Sequence, residues 1–296
     1  MWLLLTFLNS AIHAWSNVLD NYLTDKLFKR VTTLAFYSTL FSLIFLPIVW
    51  AIQTPSVPPI ALWPVLLVIA LTNVLYLFPY YEALRSDDTS VVASLFSLGK
   101  IFIPVLAFFI VGEALTVPQY LGFLLIIGSS VFLTLKNTGA HVKLSRSLFL
   151  MILSSFVVSL QAVAYKYLLN DLSWSTVFVW SSLPMLVFIA LFLFFRGSRT
   201  DIVASWNNLR GKFNILFLEE FLTFAGYVAG MIALSMAPVT LVKGVESVQG
   251  LFVLFYGICF SRFLPRMFHE RTDTKSIVKK SFLFLLIALG IFLIAD

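Results

Sequence analysis

The chain has 296 residues, of which 60% are hydrophobic and 11% are charged, and its formal net charge is +6. A mean hydropathy of +0.98 is far above what a water-exposed surface tolerates, so a soluble globular domain is excluded. The basic residues lie beside apolar stretches, where anionic lipid headgroups explain them better than nucleic acid does. A single cysteine, Cys259, excludes an internal disulfide.

Apolar stretches of about 17 to 25 residues recur along the chain, which is the length that a helix needs to cross a bilayer. They predict ten membrane-spanning helices, at residues 2–23, 31–53, 61–84, 89–111, 119–136, 147–169, 175–195, 213–236, 238–261 and 281–296. The first stretch lacks the basic start and the cleavage site of a signal peptide, so we expect it to be retained. The polar breaks 196–212 and 262–280 predict connecting loops. The predicted fold is therefore an all-α polytopic membrane protein.

The basic residues favour one side of this arrangement. Of the 20 Lys and Arg residues, Lys100, Lys166 and Lys243 lie inside spans, and the other 17 lie at loops that follow odd-numbered spans. The positive-inside rule places those loops in the cytoplasm and both termini outside. We expect a multi-pass protein of the cell membrane, plasma or inner, with this orientation.

The two halves of the sequence repeat weakly. At an offset of 150 residues, Ala83-Leu84 aligns with Ala233-Leu234 and Phe102 aligns with Phe252. This pattern predicts two five-helix repeats, residues 1–139 and 140–296. Because five is an odd number, the second repeat enters the membrane from the opposite face. Inverted repeats place a binding site near the midplane and permit alternating access.

Two segments resemble a known family. The stretch from Asp87 to Leu133 is similar to the fourth and fifth helices of EamA-type proteins in the drug/metabolite transporter superfamily, and Ala237 to Gly257 is similar to their ninth. The most specific mark is the sequence from Gly112 to Leu115, Gly-Glu-Ala-Leu. The resemblance implies a ten-helix transporter, and Glu246 coincides with a glutamate of many members. Members typically have both termini in the cytoplasm, the reverse of the orientation that the basic loops predict here.

Charged side chains within spans are costly unless paired or hydrated, so each is a candidate functional group. Lys100, Glu220 and Glu246 each lie about 10 to 17 Å inside the hydrocarbon, counted along the helices. Lys243 and Glu246 are three residues apart and can pair directly. The pair is either a neutralised structural ion pair or a gated pair whose carboxylate is released to bind a proton or a cation.

Glu219 and Glu220 are adjacent, hence about 100° apart around the helix, so only one should face a cavity. We expect Glu220 to do so, because Phe224 and Tyr227 follow it on the same stripe. The alternative is that both carboxylates pair with the basic residues of the preceding loop.

The first span carries a polar stripe at helical spacing, made of Asn9, His13, Ser16, Asn17 and Asp20. At an offset of 145 residues, Gln161 and Tyr165 match Ser16 and Asp20, which suggests a cavity shared by both halves. Interhelical hydrogen bonding alone is the alternative. His13 is either a proton relay or a packing residue.

The polar edge of a Tyr or Trp side chain finds no hydrogen-bond partner in lipid away from the interface. The candidates for the cavity on this ground are Trp15, Tyr76, Tyr80, Tyr165, Trp180 and Tyr227. With Glu220 and Glu246 they would form a cation–π and carboxylate site for an amine. The spacing of Gly226 and Gly230 permits close helix approach, within the fold or at a dimer seam.

These features predict a secondary transporter that moves a small polar or amphiphilic metabolite, an amino acid or an amine above all, by alternating access. Coupling to protons or exchange are both compatible with the buried charges. A transporter of lipid-linked or headgroup substrates is the main alternative, and a channel is disfavoured. The motifs of intramembrane enzymes and of ATPases are absent, so we expect no catalysis, cofactor or metal. The expected partners are the substrate and the bilayer, for a monomer or a homodimer.

Overall fold

The structure is a computed structural model that describes residues 1–26, 28, 30–85, 92, 95–96, 100–137, 146–210, 212–260 and 274–295. Within these ranges all regular structure is helical, which confirms the all-α class. The helices, in chain order, are α1 (Trp2–Lys26), α2 (Val31–Ile52), α3 (Ile60–Leu84), α4 (Phe102–Val111), α5 (Val117–Asn137), α6 (Arg146–Leu169), α7 (Trp174–Phe194), α8 (Arg196–Arg210), α9 (Phe213–Met236), α10 (Val239–Val245), α11 (Gln249–Phe260) and α12 (Thr274–Ala295).

Five of the described helical segments are long and apolar enough to cross a membrane. They are α2, α3, Leu148–Leu169 of α6, α7 and α9. Shorter apolar segments occur at Phe102–Val111, Val117–Ser129 and Leu285–Ile294. The protein is therefore a multi-pass membrane protein, while the count of ten crossings stays a prediction. Most of 89–99 in the fourth predicted span, and the basic segments 138–145 and 261–273, lie outside the described residues.

The side chains are distributed as lipid requires. Large apolar residues such as Ile60, Phe109 and Phe194 are more than three-quarters exposed on the outer surface. Charged and amide side chains, among them Asp20, Glu219 and Glu246, are buried inside. A helix bundle in hydrocarbon gains nothing by hiding apolar groups, so its interior is free to hold polar groups that hydrogen-bond one another.

The prediction of a loop at 196–212 was wrong, because Arg196–Arg210 forms helix α8. This segment is mostly polar and basic, but Ile202 and Leu209 are spaced seven residues apart on one helix face. Both side chains are buried. The Tyr37 hydroxyl also donates a hydrogen bond of 2.7 Å to the Ile202 carbonyl. The predicted loop 262–280 is shortened in the same way, since α12 already begins at Thr274.

Helix contacts occur in matching sets across the two halves. Helix α1 packs on α9 and α11, and α6 packs on α3 and α4. Helix α2 packs on α9, and α7 packs on α3. Helices α5 and α12 pack on each other so closely that a Cβ added to Gly122 would lie 2.5 Å from the Gly290 carbonyl oxygen. Cross-half contacts thus dominate the described core.

Glu113 ties the end of α4 to the start of α10. Gly112 adopts a left-handed conformation, with φ of 67°, and ends α4. The next residue, Glu113, then accepts hydrogen bonds from the backbone N–H groups of Val239 at 2.8 Å and Thr240 at 2.9 Å. No side chain of the cap residue itself, Pro238, performs this task. A carboxylate at a helix N-terminus satisfies otherwise unpaired donors and interacts favourably with the helix dipole.

Replacing Glu113 with Ala should lower the free energy of unfolding by about 1–3 kcal/mol, because two backbone donors lose their acceptor. Glu113→Gln should lie between Ala and the unchanged chain, since the amide keeps one acceptor oxygen. Thermal unfolding of the purified protein in detergent measures both. The control is Asp201→Asn, which removes an ion pair to Arg30 at the surface, and equal losses in Glu113→Ala and this control would contradict the capping role.

Candidate functional site

A cavity of about 160 Å³ lies between α1, α3, α6 and α9, with α10 and α11 closing one end. Polar and aromatic side chains line it together with aliphatic ones such as Leu77, Val158 and Met231. Eleven of the fourteen side chains proposed from the sequence line it, namely His13, Asn17, Asp20, Tyr76, Tyr80, Lys100, Gln161, Tyr165, Tyr227, Lys243 and Glu246. The cavity therefore collects residues from both halves of the chain.

One end of the cavity is centred on the Glu246 carboxylate. Lys243 Nζ donates to both of its oxygens at 2.8 Å, and Asn9 Nδ2 donates to Oε1 at 2.7 Å. Lys100 Nζ lies 3.9 Å from Oε2, within ion-pair range but too far for a hydrogen bond. Two lysines thus share one carboxylate, and this end has an excess of positive charge when the lysines are protonated.

Glu246 occupies a break in the helical path. The one-turn 3-10 segment Glu246–Val248 separates α10 from α11. Short 3-10 segments inside longer helices often mark hinges, because their hydrogen bonds are weaker than those of an α-helix. The charged end of the cavity therefore lies at an interruption of the regular α-helical hydrogen bonding.

The other end of the cavity is acidic. Glu219 accepts hydrogen bonds of 2.8 Å from the hydroxyls of Ser16 and Thr223. Asp20 accepts one of 3.0 Å from the Tyr80 hydroxyl, and Glu220 accepts one from Ser38. All three carboxyl groups are buried. In the part of the chain that the structure describes, Glu219 and Glu220 have no Lys or Arg within ion-pair distance.

The expectation that Glu220 faces the cavity needs correction, because the structure places Glu219 there. Glu219 lies on a stripe of α9 with Thr223, Gly226 and Gly230, and this stripe faces α1. Glu220, rotated by about 100°, points to α2. The Phe224 ring that suggested the other choice instead stacks on Phe45 at 5.1 Å, in an apolar cluster.

Between the two ends the cavity is lined by uncharged aromatic residues and His13. The His13 and Tyr227 rings meet edge to face at 5.2 Å, and the Tyr76 and Tyr227 hydroxyls lie 3.5 Å apart. The Tyr165 hydroxyl accepts a hydrogen bond of 3.0 Å from Asn73. Aromatic faces and hydroxyls can hold an apolar or weakly polar part of a ligand.

Trp15 and Trp180 do not line the cavity, contrary to the expectation from sequence. Trp15 follows His13 by two residues, which rotates it about 200° around α1. It stacks on Tyr256 at 5.1 Å instead. Trp180 donates a hydrogen bond of 2.8 Å to the Ser56 carbonyl and packs on Trp63 near the end of the bundle. The indole N–H of Trp180 is therefore satisfied outside the cavity.

Glycines on α9 bring the polar stripe of α1 into place. A Cβ added to Gly226 would lie 2.7 Å from His13 Nε2, and one added to Gly230 would lie 2.7 Å from Asn9 Nδ2. These distances are shorter than any normal contact, so a larger residue at either position would have to displace His13 or Asn9 from its present place. The two glycines pack within the fold, as one of the two sequence interpretations proposed.

Replacing Gly226 with Ala should lower the free energy of unfolding by about 1–3 kcal/mol, because the added methyl group must displace His13. Thermal unfolding in detergent measures the loss. Gly128→Ala is the matched control, since a Cβ there meets nothing within 4 Å, and it should be neutral or stabilising by up to about 1 kcal/mol. A neutral Gly226→Ala would show that the α1–α9 contact is looser than described.

Several lining residues were absent from the sequence-based site. Ser38, Glu219, Thr223 and Gln249 are examples, and Asn9 and Ser16 were noted only as members of the polar stripe. The small-residue stripe on α9 was a signal for Glu219, because the glycines that admit α1 share its face. Nothing in the sequence signalled Ser38 or Gln249. No group of three or more metal-ligating side chains occurs among the described residues.

Comparisons with known proteins agree with this architecture. The model of the EamA-like transporter family matches residues 1–135, which confirms the resemblance over the first half of the chain. A solved structure titled only "Crystal structure of protein" is 15% identical, covers 98% of this chain with 95% of its own length, and superposes with a TM-score of 0.64. At that identity the likeness shows a shared fold. No curated protein matches the sequence.

Proposed function

We propose that this chain, a membrane protein related to the EamA-like transporters through residues 1–135, is a secondary transporter that works by alternating access. The observation that carries the proposal is the buried cavity between the halves, with lysines at one end and carboxylates at the other. Buried charges in a membrane are expensive, and they are retained where a substrate or ion uses them.

The helix contacts support a transporter of ten helices in two inverted repeats. Exchanging the halves turns the α1–α9 contact into the α6–α3 contact, and the α1–α11 contact into the α6–α4 contact. The α2–α9 and α7–α3 contacts exchange in the same way, and α5–α12 maps onto itself. Such symmetry gives two equivalent arrangements of the halves, which is what alternating access requires.

The substrate class that the cavity fits is a small polar or amphiphilic metabolite, with an amino acid or an amine favoured. An anionic group would contact Lys100, which has no hydrogen-bond partner among the described residues. A cationic group would contact Glu219 or Asp20 near the tyrosine faces. The same carboxyl groups could bind a coupling proton, or the carrier could exchange one substrate for another.

Flux measured in proteoliposomes over a panel of amino acids, amines, nucleosides and sugars tests the proposal. We expect uptake of at least one metabolite, and at least a tenfold loss of its rate in Glu219→Gln, because a charged hydrogen bond contributes about 1.5–3 kcal/mol. Asp201→Asn removes a carboxylate outside the cavity and should transport normally. Absence of flux for the whole panel would refute the function.

The free energy of unfolding tests whether Lys243 serves the fold while Lys100 is free to serve the substrate. Glu246→Gln should destabilise the protein by about 3–5 kcal/mol, because it leaves two buried ammonium groups without a counter-charge. Lys100→Met should be neutral or stabilising, since it leaves a balanced Lys243–Glu246 pair. Thermal unfolding in detergent measures both. A loss in Lys100→Met as large as that in Glu246→Gln would mean that Lys100 serves the fold.

A further inference from the structure

The two charged ends of the cavity are held apart by the helices that carry them. Asn9, which binds Glu246, and Ser16, which binds Glu219, lie on one face of α1. They are seven residues apart, which is about 10 Å along the helix axis. On α9, which runs antiparallel to α1, Gly230 lies beside Glu246 and is eleven residues from Glu219, or about 16 Å. Along both helices, the residues beside Glu246 therefore lie about 10 Å or more from the residues at the Glu219 end.

Each end presents a buried charged group with bonding capacity that the described residues do not fill. Lys100 is 8% exposed, and the only polar contact of its ammonium among the described residues is the one of 3.9 Å with Glu246. Glu219 is 3% exposed, and its Oε2 atom has no hydrogen-bond partner among the described residues. Both side chains line the same cavity. An unfilled donor at one end and an unfilled acceptor at the other point to a ligand that reaches both.

The segment between these ends holds no charged side chain of its own among the described residues. His13, Tyr76 and Tyr227 line it, with their rings and hydroxyls in contact. A ligand that bridges the ends would place its uncharged middle against these rings.

We propose that the preferred substrate is an extended zwitterion, with its anionic group at Lys100 and its cationic group at Glu219, about 10 Å apart. The inference rests on the proposed transport function and narrows its substrate class. An α-amino acid carries both charged groups on one carbon atom and satisfies only one end. The other end then keeps a buried charge without a partner, which costs binding energy.

A pair of isomers tests the separation directly. 8-Aminooctanoic acid and 2-aminooctanoic acid have the same atoms and the same two charges, but only the first carries its charges at opposite ends of the chain. Thermal shift and calorimetric titration of the full chain in detergent should show the first binding at least about tenfold more tightly. Equal binding, tighter binding of 2-aminooctanoic acid, or no binding of either isomer would overturn the inference.

Variants assign the two ends. Lys100→Gln should weaken binding of 8-aminooctanoic acid and of octanoate about tenfold while leaving octylamine unchanged. Glu219→Gln should weaken binding of 8-aminooctanoic acid and of octylamine about tenfold while leaving octanoate unchanged. Lys212→Gln and Asp201→Asn, which change charges outside the cavity, are the controls and should bind all three compounds normally. If both cavity variants weakened all three compounds alike, the two ends would not read opposite charges, and the inference would fail.

Flux in proteoliposomes distinguishes this inference from the function on which it rests. Transport of α-amino acids or simple amines without transport of 8-aminooctanoic acid would overturn the extended substrate and leave the transporter intact. Absence of flux for every compound would refute both the transport function and the extended substrate. Uptake of 8-aminooctanoic acid in preference to its isomer would support both.

Discussion

The close contact between α1 and α9 positions most of the charged interior. Gly226 and Gly230 let the polar face of α1 approach the backbone of α9, so that Ser16 meets Glu219 and Asn9 lies against Gly230 beside Glu246. In hydrocarbon, helices associate through such close packing and through hydrogen bonds, since lipid competes equally for apolar groups. A methyl group added at Gly226 would have to displace the His13 ring, and one added at Gly230 would have to displace the Asn9 amide that binds Glu246.

Burying charge in a membrane demands compensation, and the two ends of the cavity meet the demand differently. At Glu246 the compensation is ionic, with Lys243 bonded to both oxygens and Asn9 to one. At Glu219 it comes from the hydroxyls of Ser16 and Thr223. Hydroxyls can donate to a carboxylate without cancelling its charge, so the acidic end remains attractive to a cation or a proton. This difference makes one end of the cavity basic and the other end acidic.

The short motif that contains Glu113 has an identifiable structural role. The segment from Gly112 to Leu115 was the most specific point of resemblance to the EamA-type proteins. Gly112 ends α4 in a left-handed conformation, and Glu113 caps the first turn of α10 in the other half. The motif therefore joins the two halves next to the helix that leads to Glu246. The Glu113 carboxylate binds the first two backbone N–H groups of that helix.

The amino-acid sequence by itself determined the membrane environment, the all-α class and most of the cavity. Hydropathy decides where helices cross lipid, and the high cost of buried charge marks residues such as Lys100 and Glu246 by their position within an apolar span alone. Periodicity also identified the polar face of α1, because a stripe of that kind cannot face lipid.

Other features were decided only by the tertiary structure. The choice between Glu219 and Glu220 depended on which face of α9 receives α1, and the positions of Trp15 and Trp180 depended on partners distant in sequence. Helix α8 was hidden because only Ile202 and Leu209 of its apolar residues find buried positions against the bundle. Local pattern fixes which residues share a helix face. It does not fix which neighbour that face meets, because helix packing sums many weak contacts between segments far apart in the chain.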